Sequence, residues 1–199
     1  MIVVGLTGKA GAGKSQVADH LVAEHGFMKL SFAGPLKKML RTLDPIVGLD
    51  PWTKQFLRVS DLYKRYGDDA GIKKSPYADE MRRLWQVLGT DCIRAVDEGF
   101  WVRAALAQLT DPDGRYVFDD VRFPNEAEAI TGQRWVNDRP GGYLWRVVRP
   151  DHDGGAGNHV SEQHADTMDV DREVLNTQSI GTLHTLIDMF IDDVFDGVL

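Results

Sequence analysis

The chain has 199 residues, 43% of them hydrophobic, with 23 basic and 30 acidic side chains and a formal net charge of −7. That length and composition suit one domain with a real core, and no apolar run approaches the ~20 residues of a membrane span. The acidic balance argues against a protein that tracks a nucleic-acid backbone, while leaving room for a local basic pocket around a small anion.

The first strand is read from Ile2-Val3-Val4-Gly5-Leu6, a short apolar run led by β-branched residues. Gly8-Lys9-Ala10-Gly11-Ala12-Gly13-Lys14-Ser15 follows and reads G-x-x-x-x-G-K-S, the pattern of a phosphate-binding loop. Val17, Ala18, Leu21 and Val22 then repeat at helical spacing and stop at Gly26. Strand, glycine loop and helix form the arrangement this chemistry needs. Glycines let backbone N–H groups turn inward around phosphate oxygens, and the helix start adds unpaired N–H groups and the positive dipole end. Lys14 can reach the β- and γ-phosphates, and the Ser15 hydroxyl can bind Mg²⁺.

A second strand is expected over Met28–Ala33, then a helix from Pro35 with Leu36, Met39, Leu40 and Leu43 inward. Asp44–Lys54 carries two prolines and reads as a loop; Phe56–Lys74 gives only weak helical signals. Ser75-Pro76 reads as a helix start, with Met81, Leu84, Trp85 and Leu88 on one face and Gly89 as its stop. A helix is expected over Phe100–Leu109, a tight turn at Asp111–Gly114, and a buried strand at Tyr116–Phe118. Asn125–Thr131 reads as a helix, Tyr143–Val148 as the fourth strand, Glu173–Leu175 as the fifth, and Thr182–Val194 as an amphipathic helix. The fold class expected from this alternation is α/β, a parallel five-stranded sheet flanked by helices. One domain over 1–199 is expected, with a helical region at about 35–110 and a lid loop at about 150–167.

Ligands in such sheets sit beyond the carboxyl ends of the strands. Asp119 and Asp120 end the third strand, and a carboxylate there can orient Mg²⁺, directly or through water, across from Ser15. Arg122 could grip a phosphoryl group or pair with Glu126. Arg82 and Gln86 are i,i+4 neighbours on one helix face; with Arg83 and Arg94 they could hold an acceptor, or simply face solvent. His152, His159 and His164 match no zinc spacing, and no cysteine ligand accompanies them. Cys92 is the single cysteine. It excludes an internal disulfide, suits a reducing compartment, and reads as a packed residue at a helix end. The N-terminus lacks a basic n-region, so no signal peptide is expected.

Several segments carry a resemblance. Ser31-Phe32-Ala33-Gly34-Pro35-Leu36-Lys37 resembles "SFADPLK". Arg83 to Asp91, with Arg94, resembles "RxLLQxLGTxxxR", and Trp101-Val102 fits the "WV" that follows. Asp120 to Glu126 matches "DVRFPNE". His159-Val160-Ser161-Glu162 fits "HxSE", and Asn176 begins an "N-x-x-S-x-x-x-L" ending. With the glycine loop, these are similar to the deoxynucleoside monophosphate kinases of tailed bacteriophages, nearly end to end from Val4 to Leu186. Gly34 stands where that family often has Asp, and Trp85 where it often has Leu. Both departures bear on which base is accepted.

The resemblance implies a P-loop kinase fold, ATP with Mg²⁺ as phosphoryl donor, a deoxynucleoside monophosphate acceptor and a cytoplasmic location, the host's if phage-encoded. It implies no nucleic-acid polymer and no membrane as partner, and it is compatible with a homodimer. Gln16 and Asn176 would complete the ATP site. Lys37, Arg82, Arg83, Gln86, Arg94, Trp101 and Arg149 would serve the acceptor. Lys14, Arg122 and Asp120 would act in catalysis, with Ser15 and Asp120 on the metal. Two rivals stand beside this reading. One is a kinase resembling dephospho-coenzyme A kinase, with a sugar hydroxyl acceptor and Asp119 or Asp120 as base. The other is an ATP-binding regulatory or assembly protein.

Overall fold

The computed structural model describes residues 1–134, 141–150, 164, 166–177 and 179–197. In chain order, β1 (Ile2–Thr7) runs through the glycine loop into α1 (Lys14–His25) and on to β2 (Met28–Leu30). Then come α2 (Ala33–Leu43), the strands β3 (Ile46–Leu49) and β4 (Phe56–Arg58), and the helices α3 (Val59–Tyr66), α4 (Asp69–Ile72) and α5 (Ala78–Gln86). A π-helical segment, Val87–Arg94, prolongs α5, and α6 (Phe100–Leu106) follows. The chain continues through β5 (Arg115–Phe118), α7 (Pro124–Thr131), β6 (Gly142–Val148), β7 (Arg172–Leu175) and α8 (Ile180–Asp196).

These elements divide into two compact units, one of Met1–Phe32 with Ala105–Leu199 and one of Ala33–Ala104. The first holds the five-stranded sheet, in the order β2-β5-β1-β6-β7. Every pairing in it is parallel, with Val4 opposite Val117 on one side and Tyr143 on the other. All six residues of β1 are buried, as a central parallel strand covered on both faces requires. On one face Ile2, Val4, Leu6, Trp145 and Val147 pack with Val17, Ala18 and Leu21 of α1 and Leu183, Ile187, Ile191 and Val194 of α8. On the other, Gly5 lies so close to Val121, Leu144 and Ile130 of α7 that an added Cβ would stand 3.0–3.3 Å from their side chains. The result is three layers, as the strand–helix alternation predicts.

The second unit has its own core of Leu40, Val47, Leu57, Val59, Leu62, Ile72 and Met81. Here the structure departs from the sequence reading at several points. The stretch 44–54, expected as a loop, contributes β3 of an antiparallel hairpin with β4. Pro45 and Pro51 fall just outside that strand, and only Val47 and Leu57 turn inward, so the alternation is too short to stand out. The helix expected to start at Ser75-Pro76 begins at Ala78 instead; Ser75 Oγ accepts the Tyr77 N–H in the preceding turn.

Gly89 does not stop that helix. The chain passes through it in the π-helical segment, where the Ala95 N–H reaches the Thr90 carbonyl five residues back. Glycine is needed there for space: a Cβ would stand 2.9 Å from Leu36 Cδ2. Cys92, on the same segment, is exposed rather than packed. Strand β2 stops at Leu30, short of Ala33, because the Phe32 N–H is taken by the Asp120 carboxylate. Most of the expected lid at 150–167 lies outside the described residues, as do His152, His159, Ser161 and Glu162.

Candidate active site

The carboxyl end of β1 delivers the chain into the glycine loop. Gly8, Gly11 and Gly13 have φ of 125°, 77° and 109°, a region that side chains other than glycine's rarely allow. Two of these glycines are also required for space. A Cβ on Gly8 would stand 2.3 Å from the Val147 carbonyl oxygen, and one on Gly13 would stand 2.5 Å from Asn176 Nδ2. Asn176, just beyond β7, donates to the Ala12 carbonyl at 2.9 Å. It fastens the loop from outside.

Helix α1 starts at Lys14 with no acidic residue in its first turn and no side-chain cap on Gly13. Its leading N–H groups are therefore not occupied by a capping side chain, the condition for anion binding at a helix start. Lys14 Nζ donates to the Gly8 and Lys9 carbonyls at 2.6 and 2.8 Å, so the ammonium lies against its own loop. Lys9 pairs with Asp166 at 3.5 Å. Gln16 is exposed one residue past Ser15, and Ala10 is exposed at the loop tip.

Ser15 Oγ donates to Asp119 Oδ2 at 3.0 Å. The carboxylate beside Ser15 is therefore Asp119, one residue before the one chosen from the sequence. Asp120 is turned toward β2, where it accepts from Ser31 Oγ at 2.6 Å and from the Phe32 N–H at 2.9 Å. Parallel pairing of β2 with β5 also brings Lys29 to Asp119, at 2.9 Å. Burial alone would lower the Lys29 amine, but hydrogen bonds and charge from Asp119 and Asp19 outweigh it and hold the amine above its ordinary value. Sequence reasoning missed Lys29. Its strand was legible, but its neighbour across the sheet was not.

Glu126 is buried at the start of α7 and accepts the backbone N–H groups of Arg122 and Phe123 at 2.8 and 3.2 Å. That caps the helix and leaves the Arg122 side chain exposed at the site end of β5. Arg149 is exposed directly after β6.

In the second unit, Lys37 pairs with Asp69 at 2.9 Å and lies 5.8 Å from the Trp85 ring centroid. Arg41 approaches Asp69 at 3.5 Å and stacks 3.8 Å over Tyr63, whose hydroxyl donates to Asp69. Burial, with Asp69 adding to it, pushes the Tyr63 hydroxyl up to about 12. Arg82 is exposed and Gln86 half-buried on α5. Two of the residues chosen for the acceptor are otherwise engaged. Arg83 is held bidentately by Glu80 at 2.9 and 2.7 Å. Trp101 is 4% exposed and donates its Nε1 proton to the Gly89 carbonyl at 2.9 Å. Trp101 is a core residue that ties itself to the interior of the π-helical segment.

Among the described residues no helix is long and apolar enough to cross a membrane. Residues 69–187 match the family model for deoxynucleotide monophosphate kinase. A protein of Acanthamoeba polyphaga mimivirus named "Putative deoxynucleotide monophosphate kinase" is 28% identical over 165 residues, 75% of each chain. Among solved structures, the dephospho-CoA kinase from Campylobacter jejuni is 14% identical, covers 99% of this chain and 98% of its own, and superposes with a TM-score of 0.44. TT1252 from Thermus thermophilus is 17% identical, covers 96% of this chain and 97% of its own, and gives 0.42. With a phosphate-binding loop at the carboxyl end of the central strand of a five-stranded parallel sheet and a family match over more than half its length, this chain is a kinase that belongs to the deoxynucleotide monophosphate kinase family.

Proposed function

We propose that the protein transfers the γ-phosphoryl group of ATP to a deoxynucleoside monophosphate, giving the diphosphate and ADP, in the cytoplasm. The observation that carries this reading is the Ser15–Asp119 pair at the mouth of the glycine loop. A hydroxyl and a carboxylate in contact there suit a hydrated Mg²⁺, which keeps several waters and takes few protein ligands. Mg²⁺ held there would supply neutralisation of the charge that develops in phosphoryl transfer.

The chain's own residues do the rest. The loop N–H groups and the start of α1 bind the phosphates. Lys14 leaves the Gly8 and Lys9 carbonyls and meets the transferred phosphoryl oxygens, where it offsets developing charge. Ser15 and Asp119 would hold the metal, and Lys29 fixes Asp119. Arg122 and Arg149, exposed at the carboxyl ends of the strands, contribute cationic charge to the phosphates. Lys37, Arg82, Gln86 and Arg94 recognise the acceptor, and Arg94's half-buried position supports a fixed side chain.

The acceptor is itself a phosphate with a second pKa near ~6, so its attacking oxygen is ionised at neutral pH and no general base is required. The site agrees with that economy. Asp119 is engaged by Ser15 and Lys29, and Asp120 by Ser31 and Phe32, so neither is set up as a base for a sugar hydroxyl.

The test is ADP release from ATP and Mg²⁺ without acceptor, then with each deoxy- and ribonucleoside monophosphate and with dephospho-coenzyme A. Strong stimulation by one or more deoxynucleotides is the expected result and gives the base preference directly. Stimulation by dephospho-coenzyme A alone would replace this reading. ADP release indifferent to every acceptor would leave an ATPase or a nucleotide-binding switch.

A further inference from the structure

A second cluster of chemistry lies on the outer surface of the first unit, and the phosphotransfer reaction makes no use of it. His20 and His25 of α1 both direct Nε2 at one oxygen of Asp188 on α8, at 2.7 and 2.8 Å. The three ligand atoms lie within 4.8 Å of one another. His184, one turn before Asp188, stacks on the His20 ring at 3.9 Å between centroids with 19° between planes. His20 is 8% exposed at the side chain, His25 16% and Asp188 46%. They open onto a recess of about 750 Å³ that Gln16, Glu24 and Ile180 also line.

We propose that His20, His25 and Asp188 form a binding site for a transition-metal ion of the zinc type, which joins α1 to α8. Two imidazoles and one carboxylate are the three-protein-ligand set that Zn²⁺ takes when its fourth position stays open to water. Imidazole selects such ions over Mg²⁺, so the Mg²⁺ that serves ATP does not compete.

Tetrahedral ligands about 2.0–2.2 Å from a metal stand about 3.4 Å apart. Asp188, now 2.7 and 2.8 Å from the two imidazole nitrogens, would withdraw by about half an ångström, and the two imidazoles, within 4.8 Å of each other, would close by about 1–1.5 Å. Asp188 is the most exposed member, and it lines the recess. The His184 ring stacked on His20 restricts that ligand's rotation, the role outer residues play around metal sites. A purely structural clamp is the competing explanation, with both imidazoles donating to one carboxylate. It needs no ion and would show none.

The test uses the full chain stripped with a chelator and titrated with Co²⁺ in excess Mg²⁺, then with Zn²⁺. The expected result is a visible Co²⁺ absorption band that saturates at one ion per chain, bleaches on Zn²⁺ addition, and accompanies a rise in thermal midpoint with Zn²⁺. His25→Gln and Asp188→Asn, each keeping a polar group of similar size, should lose both the band and the thermal shift. Loss of the His152, His159 and His164 imidazoles together should change neither. No band in the wild type, or a band that survives in both cluster variants, would overturn the site. So would a band abolished only by the change at 152, 159 and 164. Circular dichroism on each variant separates loss of ion from loss of fold.

Discussion

Ser15 Oγ and Asp119 Oδ2 meet across 3.0 Å, joining the first turn of α1 to the end of β5. Asp120, the next residue, is bound instead to Ser31 and Phe32 beyond β2. Two adjacent carboxylates thus have separable duties. Asp119→Asn should weaken the apparent Mg²⁺ affinity of the reaction about 10–100-fold, as loss of an orienting partner does, with little change in stability. Asp120→Ala should cost about 1–3 kcal/mol of stability, because the Phe32 N–H loses its acceptor, with a much smaller effect on Mg²⁺ dependence. Urea denaturation and Mg²⁺ titration of both variants decide it; the reverse pattern would return the metal to Asp120.

Lys14→Ala should reduce transfer by about 10²–10³-fold or more while the protein stays folded, the scale of losing one charge-stabilising donor. The bond that Lys14 makes to the Lys9 carbonyl is exposed and the one to Gly8 only part-buried, so their loss costs the fold little. Single-turnover rates with unchanged circular dichroism are the check, and substantial residual transfer would contradict the assignment.

Gly8→Ala should destabilise the protein by about 2 kcal/mol or more, since the residue is held at positive φ and its new methyl would meet backbone rather than a flexible side chain. The obstacle is the Val147 carbonyl oxygen, 2.3 Å from the added Cβ. Gly26→Ala is the control, at φ 68° with nothing within 4 Å of an added Cβ. It should cost about 1 kcal/mol. Equal losses in thermal unfolding would rule out the contact as the cause.

Asp50 in the second unit accepts the N–H groups of Trp52 and Thr53 and pairs with Arg65 at 2.7 Å. The backbone bond from Thr53, then Arg65, then Trp52, hold its carboxyl down at about 2. Its unfolded value is about 3.9. A depressed carboxyl stabilises the folded state above the unfolded pKa and loses that contribution as pH falls through the folded one. The stability gap between wild type and Asp50→Asn should therefore be full above about pH 4 and shrink toward pH 2. A gap that stays constant from neutral pH to pH 2 would show that Asp50 acts by shape alone.

Trp101→Phe removes the donor to the Gly89 carbonyl and keeps most of the buried ring. It should cost about 0.5–1.5 kcal/mol, the net worth of one hydrogen bond, with KM for the acceptor unchanged. A raised acceptor KM at unchanged stability would place Trp101 at the substrate after all.

Why the sequence revealed some of this and hid the rest is physical. The β1–loop–α1 unit was legible because each part is local: β-branched run, glycines at fixed spacing, helical periodicity closed by Gly26. The sheet was legible as strands but not as an order, and function here depends on order. Lys29 meets Asp119 only because β2 lies against β5, a relation between residues 90 positions apart. The choice between Asp119 and Asp120 turned on which way a strand end faces, and one residue reverses it. Trp101 carried a family motif, yet its partner is a backbone carbonyl that side-chain chemistry does not announce. His20, His25 and Asp188 sit on two helices that the apolar spacing predicts, and their meeting depends on how those helices pack.

The π-helical segment at Val87–Arg94 also acts as a phase correction. In an unbroken α-helix of about 3.6 residues per turn, Arg94 would lie roughly 120° around the axis from Arg82, away from the face shared with Gln86. One residue of slip turns everything beyond it back by roughly 100°, which returns Arg94 to within about 20° of Arg82. Deleting a single residue between 87 and 94 would therefore restore a regular helix with the two arginines still aligned, whereas straightening the segment with every residue kept would swing Arg94 roughly 100° away. Regularity with the extra residue retained would come at the expense of alignment, and the slip that makes the helix look imperfect keeps its charged groups in step.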